Sequence, residues 1–132
     1  MTRSLVSLAL LVIAGCASGL HRSVHEVTAR ADADGVQRVA LTTHSFYFEP
    51  NRIVVRANVP VEIRLHNGAL LVPHNFSLRS AEGGLEVEKD LRWFGGSGVV
   101  RFTPGRTGEY RFFCDKDSHA KKGMAGTLVV VP

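Results

Sequence analysis

From Val36 onward the chain alternates apolar and polar residues with a period of two, which permits strands and excludes amphipathic helices. Ile53, Val55 and Ala57 alternate with Arg52, Val54 and Arg56, and Val61, Ile63 and Leu65 alternate with Glu62, Arg64 and His66. Val100 and Phe102 follow the same rule, as do Tyr110, Phe112 and Cys114, and Leu128 and Val130 close the chain. Turn residues punctuate the runs at Pro50-Asn51, Asn67-Gly68, Gly83-Gly84, Gly95-Gly96 and Pro104-Gly105. Short strands at this spacing predict an all-β sandwich or barrel. The stretch Leu85 to Gly98 is the least regular, and Trp93-Phe94 are expected to pack on the core as a flap.

The N-terminus follows different rules. Arg3 is the sole charge before position 21, Leu5 to Ala14 is almost wholly apolar, and Ile13-Ala14-Gly15-Cys16 follows. This is the form of a secretory signal, and its run of ten almost wholly apolar residues falls short of the roughly 20 that span a bilayer. The small-small-Cys ending resembles a bacterial lipoprotein box, which implies cleavage before Cys16 and acylation of its thiol. The chain is therefore expected to divide into a lipoprotein signal peptide at 1–15, lipidated Cys16 with a flexible tether at 16–36, and one folded domain at 37–132. Residues 17–36 are small, polar and charged, as a tether requires. His21 and His25 in this segment are read as solvated side chains, with transient metal capture as the alternative.

The net charge of +4 falls to +3 once Arg3 is removed, and no basic run is interleaved with aromatics, so nucleic acid is not an expected partner. Cysteine usage is more informative. Exported proteins use cysteine mainly in disulfides, but the chain has only two cysteines. With Cys16 acylated, Cys114 stands alone in an oxidising compartment, where a lone thiol is buried, reactive or metal-bound.

Cys114 begins the spacing Cys-x4-His-x4-Met, through His119 to Met124. A strand ends at Cys114 and another starts near Gly126, so one inter-strand loop carries all three side chains. Alternation places His74 on one rank with Phe76 and Leu78, facing the core, whereas His66 shares its face with Glu62 and Arg64. His74 is therefore preferred as the fourth group. Two imidazoles, a thiolate and a thioether make the trigonal His2Cys set with a weak axial Met that holds type 1, or blue, copper. Zinc sites gather Cys and His in paired short spacings and seldom use Met.

On these residues the chain resembles the cupredoxin family. The resemblance covers roughly residues 37–132, including Phe46-Tyr47-Phe48-Glu49-Pro50, Val72-Pro73-His74-Asn75, Gly108 to Cys114 and Gly123 to Leu128. The loop spacing is similar to that of rusticyanins and phytocyanins. The resemblance implies a Greek-key β-sandwich of seven to eight strands, one copper ion held by His74, Cys114, His119 and Met124, and an Asn75 that pins the ligand loops near the thiolate. It also implies a non-enzymatic one-electron carrier outside the cytoplasm, on the periplasmic or cell-surface side. Its expected partners are redox proteins of a respiratory or other electron-transfer chain, and it is expected to be monomeric and held to a membrane by its lipid. The alternative is a copper-handling protein, a chaperone, store or sensor, using the same site. No triad, carboxylate pair or phosphate loop suggests an enzyme. One departure stands out: Asp115-Lys116-Asp117-Ser118 and Lys121-Lys122 place charges where relatives carry apolar residues around the second His. Such a loop either steers the protein to an acidic partner or is merely solvated.

Overall fold

A computed structural model describes residues 22–132, so the signal segment, Cys16 and His21 lie outside the described residues. The described residues form ten strands and one short 3-10 turn, with no α-helix. One sheet runs β1(Glu26–Thr28), β4(Arg52–Arg56), β10(Ala125–Val131), β9(Gly108–Phe113), β6(His74–Ser80), β7(Leu85–Leu91). The other runs β3(Tyr47–Glu49), β2(Gln37–His44), β5(Val61–Asn67), β8(Ser97–Phe102). The two face each other across an apolar layer, as alternation requires.

Two short strands raise the count above seven to eight. The edge strand β3 is separated from β4 at Pro50, which carries the chain from one sheet to the other. Strand β1 lies inside the segment 16–36, expected to be a tether. It pairs in parallel with β4, Glu26 opposite Arg52, and Ala29 behind it is buried, so the folded domain reaches back to Glu26. The charges that read as tether residues are used locally: Glu26 binds Arg52 at 2.9 Å, and Asp32 and Asp34 both bind Arg38.

Alternation places Phe112 and Leu128, and likewise Ile53 and Val55, in the core. Phe48, Phe76 and Phe112 meet at its centre, with centroids 5.2–6.3 Å apart. The ring of Phe112 lies across Gly126 on the paired strand, where a Cβ would come within 2.2 Å of it. Two expectations are corrected. Glu62, on the outward rank, is only 6% exposed because Arg38, Arg64 and Arg101 close over its carboxylate. Trp93 and Phe94 do not pack on the core and are 55% and 68% exposed.

The strand registers set one end of the sandwich apart. His44 pairs with Tyr47, Leu91 with His74, His66 with Ser97, and Phe113 with Ala125, so the β2–β3, β5–β6, β7–β8 and β9–β10 loops all emerge at the same end.

Candidate metal centre

Strand β9 ends at Phe113 and delivers Cys114, fully buried, into this end of the sandwich. The loop that follows is closed by its own backbone. Cys114 N–H donates to Met124 O at 3.2 Å, Met124 N–H to His119 O at 3.1 Å, and His119 N–H to Lys116 O at 3.0 Å. The 3-10 turn Ala120–Lys122 stops at Gly123, whose φ of 92° is left-handed and costs glycine little. Met124 is thereby brought back, fully buried, beside Cys114 in the same apolar cluster. His74 comes from the opposite side as the first residue of β6, fully buried.

The structure brings His74, Cys114 and His119 together, with one donor atom from each within 4.8 Å of the others. His119 Nδ1 lies 3.5 Å and His74 Nδ1 3.9 Å from Cys114 Sγ. Bonds of about 2.0–2.3 Å meeting near 120° would set an N and an S donor about 3.7 Å apart. The three side chains are thus already spaced for one trigonal ion. Among the described residues no other cluster of three His, Cys, Asp or Glu donors meets this spacing, and His66 is exposed and away from the site.

The electrostatics make the three donors neutral. Burial pushes the Cys114 thiol up, opposed by backbone N–H groups of Asn75 and Lys116 directed at the sulfur. Burial, aided by the neighbouring His119, lowers His74 to about 4, and burial also lowers His119. Both imidazoles are therefore neutral lone-pair donors at pH 7. An ion on His74 Nδ1 leaves the proton on Nε2, which is buried near the His44 backbone without a well-formed hydrogen bond.

Asn75 ties the two ligand segments together. Its side-chain oxygen accepts from Asp115 N–H at 2.9 Å, its amide donates to Asp115 Oδ1 at 2.6 Å, and its own N–H points at Cys114 Sγ at 3.4 Å. Two charges of the ligand loop are engaged rather than freely solvated: Asp115 also binds Arg79 at 3.1 Å, and Lys116 binds Asp90 at 2.8 Å.

Two residues that the sequence reading did not single out complete the site. Phe46 sits at the tip of the β2–β3 hairpin with φ 67°, a conformation uncommon for a bulky residue. Its ring stands edge-on to His119 at 4.9 Å and to His74 at 6.5 Å, and Lys122 Nζ lies 4.1 Å from its centroid. His119 is consequently only 6% exposed. Asn67, 1% exposed, holds the loops behind His74: its amide donates to Val72 O and Arg92 O, and its oxygen accepts from Thr43 Oγ1 and Ala69 N–H. The sequence signal at Asn67-Gly68 indicated a turn but not the remote partners that make it a knot.

A two-sheet sandwich with a buried His-Cys-His cluster at one end defines a small metal-binding β domain. The family profile described as "Cupredoxin-like domain" matches residues 6–130, and the chain belongs to that family. Among solved structures it is similar to a reduced auracyanin of Roseiflexus castenholzii, at 16% identity and TM-score 0.64 over 72% of this chain and 97% of that one. It is also similar to auracyanin A of Chloroflexus aurantiacus, described as a "blue" copper protein, at 22% identity and TM-score 0.61 over 74% and 100%. A third is the metal-binding domain, with Cu(I), of a Cu(I)-exporting P-type ATPase of Streptococcus pneumoniae, at 22% identity and TM-score 0.61 over 84% and 100%. No curated protein is similar to the chain at a significant level. No helix of the described residues is long and apolar enough to cross a membrane.

Proposed function

We propose that the protein is a one-electron carrier whose resident cofactor is a single type 1 copper ion, which His74, Cys114, His119 and Met124 would hold. The observation that carries this reading is the spacing of His74 Nδ1 and His119 Nδ1 from Cys114 Sγ, 3.9 and 3.5 Å, in a fully buried pocket. The donor chemistry selects the metal: a thiolate with a thioether favours Cu(I), and imidazole serves both oxidation states. Bound copper supplies a reversible Cu(I)/Cu(II) couple. The protein's own residues keep the donors in place. Asn75 fixes the distance between the ligand segments, the closed 114–124 backbone holds three donors in one loop, and Phe46 keeps water from His119. Small rearrangement on electron exchange is the expected consequence.

Residues 13–16 support acylation at Cys16, which would hold the domain to a membrane on the non-cytoplasmic side, within reach of redox partner proteins. A copper-handling role is the second reading, favoured by the likeness to the Cu(I) exporter's domain. The cover over His119 argues against it, because a donor protein needs an open route to its ion. Potentiometric titration of the copper-loaded protein tests the choice. Reversible one-electron cycling with copper retained against a Cu(I) chelator supports the carrier. Prompt loss of Cu(I) to an acceptor would favour handling.

A further inference from the structure

The metal end carries a feature that copper binding does not use. Leu70 and Leu71, on the β5–β6 loop, are 69% and 65% exposed, and Trp93 and Phe94, on the β7–β8 loop, are 55% and 68% exposed. The two loops are joined by a hydrogen bond from Phe94 N–H to Leu70 O at 3.3 Å, so the four large exposed side chains sit on two adjoining loops. The patch is built, not left over. Asn67 binds Val72 O in the first loop and Arg92 O in the second, and its N–H donates to Gly96 O at 2.7 Å. Gly96 allows this closure, since a Cβ there would lie 2.3 Å from Arg92 O. Two loops are thus locked in a shape that keeps leucine and aromatic side chains in solvent. An exposed apolar patch of this kind marks a contact surface.

Charge and chain entry indicate what covers it. Arg92 and Lys121 at this end are exposed and make no ion pair among the described residues; of the acidic residues here, Asp90 and Asp115 are engaged by cations and Asp117 is not. Trp, Phe and Leu with the unpaired Arg92 beside them and Lys121 on the ligand loop match the headgroup layer of an anionic bilayer. The N-terminal segment also enters at this same end. Arg22 lies 3.5 Å over the ring of Tyr47, next to the hairpin tip, and Asn51 holds Ser23 and His25 by their backbones. Residues 17–21 separate Arg22 from Cys16, a leash of at most about 20 Å. A lipid on Cys16 would hold the metal end, not the opposite one, against the membrane.

We propose that the metal end is a membrane-docking surface, with Leu70, Leu71, Trp93 and Phe94 entering the phospholipid headgroup layer and Arg92 and Lys121 facing anionic headgroups. The orientation by the leash rests on the acylation of Cys16 proposed above, whereas the patch and its charges do not.

Trp93 is the chain's sole tryptophan, so its emission reads the patch directly. The full chain, copper-loaded and reduced, is placed on phosphatidylglycerol vesicles carrying brominated acyl chains, both as the acylated protein and as Cys16→Ser. The expected result for both is a blue shift, with quenching of about half or more of the emission, the depth at which interfacial Trp resides. Leu70→Ser with Leu71→Ser should abolish the quenching, and Arg92→Ala should weaken binding of Cys16→Ser about fivefold, the equivalent of about 1 kcal/mol. Vesicle-bound protein whose Trp93 stays unshifted and unquenched would overturn the proposal. So would a blue shift that follows protein concentration without lipid, which would assign the patch to a second copy. Mass spectrometry of Cys16 separately decides the acylation. Its absence with quenching intact would remove the leash and leave the docking surface.

Discussion

The side-chain oxygen of Asn75 accepts the backbone N–H of Asp115 at 2.9 Å, joining the residue after His74 to the residue after Cys114. Neither ligand can move away from the other without breaking this bond. Asn75→Ala leaves the part-buried Asp115 N–H without its partner, and apo stability should fall by about 1 kcal/mol. In the copper-loaded protein the reduction potential should shift as well, because the thiolate environment loosens. Urea denaturation of the apo protein and a potentiometric titration check the two effects, and an unchanged potential would mean Asn75 is structural only.

Phe46 covers His119 from a left-handed backbone position. Phe46→Ala removes the cover but keeps the strained φ, whereas Phe46→Gly removes both. Copper loss to a chelator should accelerate in both variants, by about tenfold or more if sealing is worth the 1.4 kcal/mol that tenfold represents. Gly should be more stable than Ala by about 1 kcal/mol. Stopped-flow chelation and thermal melts provide the comparison.

Glu62 lies under three arginines, and its hydrogen bond from Arg64, then that from Arg101, holds its carboxyl below the usual value of 4.5. A depressed carboxyl contributes stability that is fully present above the unfolded pKa and is lost as pH falls through the folded one. Glu62→Gln should therefore be less stable at pH 7, with a melting temperature that depends less on pH below about 5. Parallel Tm profiles of the two proteins would contradict this.

Metal uptake should carry a fixed proton count. At pH 7 the Cys114 thiol is protonated, its pKa raised by burial, and His74, lowered to about 4, is already neutral. Copper binding should release about one proton, from the thiol. Calorimetry in two buffers of different ionisation enthalpy measures it, and a count near zero would mean Cys114 is not a ligand.

Features set by neighbours along the chain were legible in the sequence. Alternation placed Phe112 and Cys114 inward, as well as His74 with Phe76 and Leu78. The loop spacing placed Cys114, His119 and Met124 between two strands. Features set by remote partners were not. Glu62 obeys the outward period, but three arginines from elsewhere bury it. Residues 26–36 have a tether's composition, but their charges pair with Arg52 and Arg38. Phe46 acts through hairpin register, and Trp93 and Phe94 have the hydropathy of core residues but the exposure of a contact surface.

The most direct measurement is the visible and EPR spectrum of the Cu(II)-loaded protein beside Cys114→Ser. The account predicts an intense blue thiolate-to-copper band with a narrow copper hyperfine splitting, both absent from Cys114→Ser. A pale tetragonal Cu(II) spectrum that Cys114→Ser leaves unchanged would contradict it.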